Sequence, residues 1–422
     1  MMTLKVLIGT SQKNNPEEAA LEIITQAKSD QNVAPKMVLL FSTIHYAQKD
    51  GHKRVLKQIY NNIPKTTPLI GGSVAGFMNN SGVFTKGISA VFFYSEDGEF
   101  HIGVGKNTKR NPQKAAQSCS KMIKSKIQNK TWKSKFLFEL VASGIIFRIP
   151  LAGNKKIIKT PNFFDPFFNP LMSLLTKTFQ IGNGREDEVI EILAKEFNDF
   201  IILGGSTLDD NKWISSYQFF NQEVLTNSVV AAAILGDFDT RLNTSLGLTP
   251  SGIKINPTKV GLFNCSINKI DHKAATQTLL EKLNWPKEFI NESLHRKSLY
   301  YPLCYKKGDQ LCSRVLALVV GGNLVFTNVV KSNELEIYTA SGKSLIDAVD
   351  EHDLIPSRFV IFVSCCARLE ALGRNIFKVH QKIVNQLGNT PFILIYASGE
   401  DAHSAGKEIL RLNESFNSTQ FR

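Results

Sequence analysis

The sequence lacks several patterns that identify common classes of protein. Its apolar runs stay well short of the roughly 18 residues that a membrane-spanning helix needs, and the run from Phe136 to Phe147 is interrupted by Glu139. Neither GxGxxG nor a Walker sequence occurs, which argues against the usual nucleotide-binding loops. The six cysteines form no CxxC pair and no zinc-type spacing with the eight histidines. We therefore expect no metal site, no cofactor and buried free thiols.

Composition and length are those of an ordinary globular protein. A hydrophobic fraction of 43% and a charged fraction of 21% suit a folded chain with a sizeable core. The 422 residues exceed what one simple core usually holds, so we expect more than one domain. Residues 1–10 read as a strand and lack the long apolar segment of a signal peptide, so we expect a cytoplasmic protein.

Acidic residues are nearly absent between residues 100 and 164. This basic segment contains fourteen Lys and Arg against one acid, Glu139, and accounts for the whole formal charge of +13. Its lysines accompany an apolar helical stripe, the usual pattern of a solvated helix face. An acidic partner or an anionic membrane surface would suit the same pattern. Because the rest of the chain is neutral, nucleic-acid binding is not expected.

One local design occurs three times: an apolar strand, an amphipathic helix, and a second apolar strand that stops in tiny residues. The copies are 36–73, 136–206 and 359–400. They predict an α/β (mixed α+β) fold of duplicated strand-helix-strand subdomains, with mixed sheets flanked by helices. We divide this fold into two domains, residues 1–245 and 246–422. Asp97-Gly98, between two further apolar runs, predicts a β-hairpin.

Tiny residues at strand ends predict a ligand pocket, because no side chain keeps a ligand from the main-chain amides. The candidate ligand-binding residues are Gly72, Ser73, Gly205, Ser206, Ser364, Cys365, Arg368, Gly399 and Glu400. Arg368 offers a planar fork to a carboxylate or phosphate, and it could equally pair with Glu400. An Arg and a Glu that face one cavity would suit the two charged ends of an amino acid.

Cys365 or Cys366 could instead be a nucleophile if a neighbouring base lowered its pKa. His380 and His403 are the candidate bases, although nothing in the sequence places either beside the cysteines. The preferred interpretation assigns no catalytic residue.

The insertion at residues 145–179 is rich in phenylalanine and leucine around three prolines. A lid over a sheet edge is the plainer interpretation of such a segment. An interfacial membrane contact, helped by the neighbouring lysines, is the alternative.

Taken together, these pieces resemble the FIST family, named for F-box and intracellular signal transduction proteins. Residues 71–76 and 204–206 resemble the two halves of the FIST N-terminal domain, so residues 1–245 are read as FIST N-like. Residues 301–303, 364–368 and 399–400 resemble the C-terminal domain, so residues 246–422 are read as FIST C-like. The resemblance implies a ligand-sensing module with a separate signalling output.

The sequence therefore favours a non-enzymatic sensory protein of intracellular signal transduction. Its partners would be a small polar ligand, with an amino acid as the candidate, and an unidentified signalling protein. The alternatives are a cysteine-dependent enzyme of unknown reaction, or an adaptor that binds an acidic partner or a membrane surface through residues 100–164.

Overall fold

The structure of the protein is a computed structural model. It describes residues 4–28, 33–128, 130–145, 155–160, 167, 185–210, 212–261, 265–330, 334–407 and 409–422. Most of the insertion at 145–179 lies outside these residues, so its two interpretations stay predictions. Within the described residues, no helix combines the length and the apolar character that crossing a lipid bilayer requires.

Unit 1 spans residues 5–94 and contains the first predicted copy. The side chain of Asn15 accepts hydrogen bonds from the amides of Glu17 and Glu18, which is why its first helix begins at Pro16. The elements are β1 (Lys5–Ser11), α1 (Pro16–Gln26), β2 (Met37–Ser42), α2 (Gly51–Tyr60), β3 (Leu69–Ser73), β4 (Phe77–Asn79), β5 (Gly82–Phe84) and β6 (Ile88–Tyr94).

Unit 2 spans residues 99–236 and repeats the same order of elements. Two helices cover one face of its sheet, and both present a buried apolar stripe to the strands. The elements are β7 (Glu99–Lys106), α3 (Pro112–Lys124), β8 (Ser134–Ala142), β9 (Ile157–Ile158), α4 (Arg185–Glu196), β10 (Ile201–Thr207), β11 (Gln218–Phe220), β12 (Glu223–Leu225) and β13 (Ser228–Gly236).

Unit 3 begins with β14 (Thr240–Ser245) and is then interrupted by an inserted region, residues 248–340. This region forms a four-stranded sheet, β15-β23-β19-β20, and a second sheet that includes β9. Its elements are β15 (Leu248–Ile255), β16 (Pro257–Val260), β17 (Ser266–Ile270), β18 (Lys273–Ala274), α5 (Ala275–Lys282), α6 (Glu292–Ser298), β19 (Leu303–Lys307), β20 (Gln310–Arg314), β21 (Leu316–Val320), β22 (Asn323–Phe326) and β23 (Leu335–Ala340).

The remainder of unit 3 contains the third copy. A capping box at Ser341 and Ser344 begins its first helix. The elements are α7 (Gly342–Asp347), β24 (Phe359–Cys365), α8 (Cys366–Leu372), α9 (Ile376–Leu387), β25 (Phe392–Ala397), β26 (Glu400–His403), β27 (Leu410–Leu412) and β28 (Phe416–Phe421).

The three units are built alike and exchange hairpins in a ring. The main sheet of each unit contains the first strand of that unit, its last strand, two parallel central strands, and a hairpin supplied by another unit. Unit 1 supplies β4–β5 to unit 3, unit 2 supplies β11–β12 to unit 1, and unit 3 supplies β26–β27 to unit 2. The orders are β1-β6-β2-β3-β11-β12, β7-β13-β8-β10-β26-β27 and β14-β28-β24-β25-β4-β5.

Each sheet has an inner face, which packs against the other two units, and an outer face, which is covered by helices. Phe41, Phe138 and Val363 lie in one core formed by the inner faces. Separate apolar clusters lie between the outer faces and the helices. The predicted mixed α/β fold of strand-helix-strand subdomains is confirmed. All six cysteines are buried and free, as expected.

The hairpin predicted at Asp97-Gly98 is wrong. Strand β6 pairs with β1 and β2, whereas β7 pairs with β13 in another sheet. A turn dipeptide indicates that the chain reverses direction, but it does not determine which strand either neighbour pairs with. Because exchanged hairpins join residues from both sides of position 245 in the same sheets, the division into residues 1–245 and 246–422 stays a prediction.

Candidate functional site

The serine amides of the Gly-Gly-Ser turns donate to main-chain carbonyls of neighbouring units, whereas the sequence led us to expect amides available to a ligand. The amide of Ser73 donates to the carbonyl of Tyr217 at 2.9 Å, and the amide of Ser206 donates to Gly399 at 3.1 Å. The third copy makes the equivalent bond from Tyr396 to Gly76 at 3.0 Å. These bonds join each unit to the next, so the fold itself uses the amides.

The glycines before these serines make room for a neighbouring unit. A Cβ added at Gly72 would lie 2.5 Å from Cγ2 of Thr207, and one at Gly205 would lie 2.6 Å from the carbonyl oxygen of Gly399. Gly399 itself has a φ of +89°, which favours glycine. Close packing between units therefore explains the tiny residues, and ligand binding by them stays a prediction.

Arg368 is buried and anchors main-chain segments. Its guanidinium donates to the carbonyls of Leu246 at 2.8 Å, Glu414 at 3.0 Å and Leu345 at 2.5 Å. The guanidinium of Arg368 therefore bonds to these carbonyls. It does not form the ion pair with the carboxylate of Glu400 that the sequence left open.

The equivalent residue of unit 1 shows that this role belongs to the fold. The strand pairings place Thr43 where unit 3 has Cys365, so Tyr46 takes the place of Arg368. The Tyr46 hydroxyl donates to the carbonyl of Lys13, which follows the first strand of unit 1. Leu246 likewise follows the first strand of unit 3. The two side chains thus hydrogen-bond to the same segment in each unit, the residues that follow the first strand.

Two carboxyl groups near the end of β24 are buried without full hydrogen bonding. Oε2 of Glu400 accepts from the Ser415 hydroxyl at 2.9 Å, whereas Oε1 has no partner among the described residues. Both oxygens of Glu414 also lack a partner there. Burial raises the pKa of Glu414 to about 8, and burial together with the Cys365 thiol raises the pKa of Glu400 well above its usual range.

Ser364 and Cys365 complete this corner of unit 3. The hydroxyl of Ser364 donates to the carbonyl of Ser415 at 3.4 Å. Burial, the neighbouring Cys366 and the carboxyl of Glu414 raise the pKa of the Cys365 thiol well above its usual range. The structure thus brings Ser364, Cys365 and Glu400 together, and Ser415 joins them.

A second polar cluster, centred on Arg411, was not predicted from the sequence. Nη1 of Arg411 lies 2.9 and 2.7 Å from the two oxygens of Asp401, and Nη2 donates to the hydroxyl of Ser206 at 2.7 Å. The oxygens of Asp187 and Glu186 lie 3.6 and 4.0 Å from its nitrogens. Nε of Arg411 and Oε2 of Glu186 are buried and have no hydrogen-bond partner among the described residues.

Glu139 adds another acid to this cluster. It is fully buried in the middle of β8 and is separated from Asp401 only by Gly204, with which both residues pair. Burial and the neighbouring Asp401 carboxylate raise the pKa of Glu139 well above its usual range. This environment favours the protonated form of Glu139, which costs less to bury than the carboxylate.

A small polar cavity adjoins the cluster. It has a volume of about 20 Å³, enough for one or two water molecules. Helix α4, strand β27 and the hairpin β19–β20 meet around it. Its lining residues are Asp187, Ile190, Glu191, Tyr305, Lys307, Cys312, Arg314, Ile409 and Arg411. We call this the inner cavity.

The sequence held one signal that could have led to this cluster. Glu139 interrupts an otherwise apolar strand and is the only acid of the basic segment. A lone acid in a buried strand requires compensation from elsewhere in the fold. Its neighbours Asp401 and Arg411 lie more than 250 residues away and reach it through the exchanged hairpin, which sequence patterns do not reveal.

Comparison with known proteins places the chain in a class of ligand-sensing signalling proteins. Residues 36–273, more than half of the chain, match the family model described as the FIST N domain. The chain therefore belongs to the FIST family, as its resemblance implied. No curated protein matches the chain.

Among solved structures, the chain is similar to the crystal structure of cyanuric acid hydrolase from A. caulinodans. The identity is 7%, the TM-score is 0.29, and the match covers 56% of this chain and 72% of that chain. A likeness of this size carries no argument about the activity of the chain.

Proposed function

We propose that the protein is a non-enzymatic receptor for a small polar ligand, with an amino acid as the candidate, and that the ligand binds at the inner cavity. The observation that carries this proposal is the presence of both charge signs around one small cavity. Arg411 and Lys307 suit a ligand carboxylate, whereas Asp187 and Glu191 suit an ammonium group. The guanidinium of Arg314, which also lines the cavity, is bonded to main-chain carbonyls and to the Tyr305 hydroxyl.

Unused hydrogen-bonding groups support the same ligand class. Nε of Arg411 is a buried donor and Oε2 of Glu186 is a buried acceptor, and neither makes a hydrogen bond among the described residues, although Oδ2 of Asp187 lies 3.6 Å from Nε. Leaving such groups unpaired costs stability. A ligand carboxylate in the inner cavity would supply the acceptor that Nε of Arg411 lacks.

The size of the inner cavity links ligand binding to a change of shape. A space of about 20 Å³ admits water but not an amino acid. Binding therefore requires the walls to separate, and the ligand shifts the protein toward that wider state. A receptor needs such a change if a separate signalling protein is to detect the ligand.

The environment of the cysteines favours a receptor over a cysteine-dependent enzyme. Cys365 and Cys366 are 3% and 6% exposed, and the raised pKa of Cys365 disfavours the reactive thiolate. His380, one of the proposed bases, contacts the carbonyl of Asn79 at 2.9 Å.

Ion pairs in the basic segment favour a solvated helix face over an adaptor surface. Four of its lysines lie within 3 Å of acids from other elements, which reduces the local positive field. The pairs are Lys106–Glu223, Lys124–Glu196, Lys133–Asp239 and Lys135–Asp199.

Thermal unfolding in the presence of amino acids, organic acids and simple amines tests the proposal. A ligand at 100 times its dissociation constant should stabilise the protein by about 2.7 kcal/mol. We expect an amino acid to raise the midpoint more than an acid or amine that carries only one of its charges.

Two neighbouring lysines of the hairpin β19–β20 provide a matched pair of variants. Lys307 lines the inner cavity, whereas Lys306 lies on the opposite face of the hairpin. Lys307→Met should weaken the response and Lys306→Met should leave it unchanged. The proposal fails if no amino acid shifts the midpoint, or if the two variants respond alike.

A further inference from the structure

The three units allow one position to be compared in three settings. In unit 2, the pairing of neighbouring strands places Glu139, Gly204, Asp401 and Arg411 side by side across the sheet. We call Glu139, Asp401 and Arg411 the charged row. These residues lie on the outer face of the sheet, next to helix α4.

The equivalent rows of the other units follow from the same pairings. In unit 1 the row is Leu40, Gly71, Phe219 and Val224, and in unit 3 it is Phe362, Leu394, Met78 and Val83. Apart from Gly71, every member of these two rows has an apolar side chain that packs in the cluster beneath the helices.

The fold therefore does not need charges at this row. Units 1 and 3 form the row from apolar side chains. Unit 1 also has a glycine, Gly71, at the position where unit 2 has Gly204. Buried ion pairs are frequently no more stabilising than well-packed apolar residues of similar volume. Two acids and an arginine in place of three apolar residues require a reason other than stability.

The unsatisfied groups near the row point to that reason. Arg411 is 5% exposed, lines the inner cavity and holds Nε without a hydrogen-bond partner among the described residues. Asp401 holds the opposite side of the same guanidinium through Nη1. The row thus presents one fixed donor, Nε of Arg411, at the cavity, where Oδ2 of Asp187 lies 3.6 Å from it, too far for a hydrogen bond.

We propose that the charged row is the ligand-recognition element of the receptor: Arg411 binds the carboxylate of the ligand, and Asp401, the neighbour of Glu139 in the row, is the positioning residue for Arg411. This inference rests on the proposed function and deepens it, because it assigns the carboxylate end of an amino acid to one named side chain. The apolar rows of units 1 and 3 leave those units without an equivalent site.

The test replaces the charged row with the residues of unit 1, in the variant Glu139→Leu/Asp401→Phe/Arg411→Val. A second variant adds Asp187→Asn, because Asp187 would otherwise lose its contact with Arg411. Lys135→Ala is the control, since Lys135 lies on the same strand in a surface ion pair with Asp199. Each protein is unfolded thermally with and without amino acids.

We expect at least one row variant to unfold cooperatively within about 5 °C of the wild type and to lose the response to the amino acid that stabilises the wild type. The control should keep both the unfolding temperature of the wild type and its response to the amino acid. The inference is overturned if neither variant folds, because the fold would then need the charges, or if a folded variant keeps the response. If the wild type responds to no amino acid, the proposed function fails, and the two failures are thereby distinguished.

Discussion

Units 1 and 2 share strand order, hairpin exchange and the hydrogen bonds that join neighbouring units, yet differ in what lies beneath their helices. Unit 1 packs the buried Leu40 and Phe219 and the half-buried Val224 there, whereas unit 2 buries Glu139, Asp401 and Arg411. The shared features are those that the architecture requires. The differences are the places in which to look for function, because the same architecture forms without them.

The largest expected effect comes from removing the arginine of the charged row. Arg411→Ala leaves the Asp401 carboxylate buried without its cation, which should cost about 3–5 kcal/mol of unfolding free energy. Val224→Ala, at the equivalent position of unit 1, should cost only about 1 kcal/mol. Urea unfolding measures both, and equal losses would contradict the distinction between the two rows.

The next effect concerns the anchoring position that Arg368 occupies in unit 3 and Tyr46 in unit 1. Arg368→Ala leaves three main-chain carbonyls without donors and should cost more stability than Tyr46→Phe, which removes one. Losses of about 2–4 kcal/mol and about 1 kcal/mol are expected by urea unfolding. If the Arg368→Ala protein folds but is no longer stabilised by amino acids, Arg368 belongs to the ligand site after all.

A third prediction concerns pH and compares Glu414 with its equivalent in unit 2, Asn227. Glu414 binds its proton more tightly in the folded protein, with a pKa raised by burial to about 8. Its contribution to stability is complete below the unfolded pKa of about 4.5 and is lost as pH rises through 8.

Glu414→Asn should reduce the fall in stability between pH 6 and pH 9, as measured by urea unfolding across that range. Asparagine suits the position because the backbone is left-handed at both residues, with φ of 55° and 57°. An unchanged pH profile would show that Glu414 does not titrate in this way.

The smallest expected effect is at the surface of unit 2. Lys135 and Asp199 form an ion pair at 2.6 Å that is partly exposed, and Lys135→Ala should change the unfolding free energy by no more than about 0.5 kcal/mol. A loss as large as that of Arg411→Ala would mean that charge in unit 2 stabilises the fold regardless of burial.

The sequence was a good guide to local structure and a poor guide to which residues meet. The three copies of the strand-helix-strand design correctly predicted the subdomains of the mixed α/β fold. Asp97-Gly98 predicted a turn but the wrong pairing. Local backbone preference acts over a few residues, whereas the partner of a strand depends on the whole chain.

Periodicity, turn residues and strand ends in the sequence were sufficient to determine the mixed α/β fold and the three repeated units, because each of these signals arises between residues close in the chain. Only the tertiary structure decided that the serine amides of the Gly-Gly-Ser turns bind neighbouring units and that Asp401 and Arg411 lie in the same row as Glu139. Those contacts depend on the ring of exchanged hairpins, which joins residues hundreds of positions apart and leaves no local pattern in the sequence.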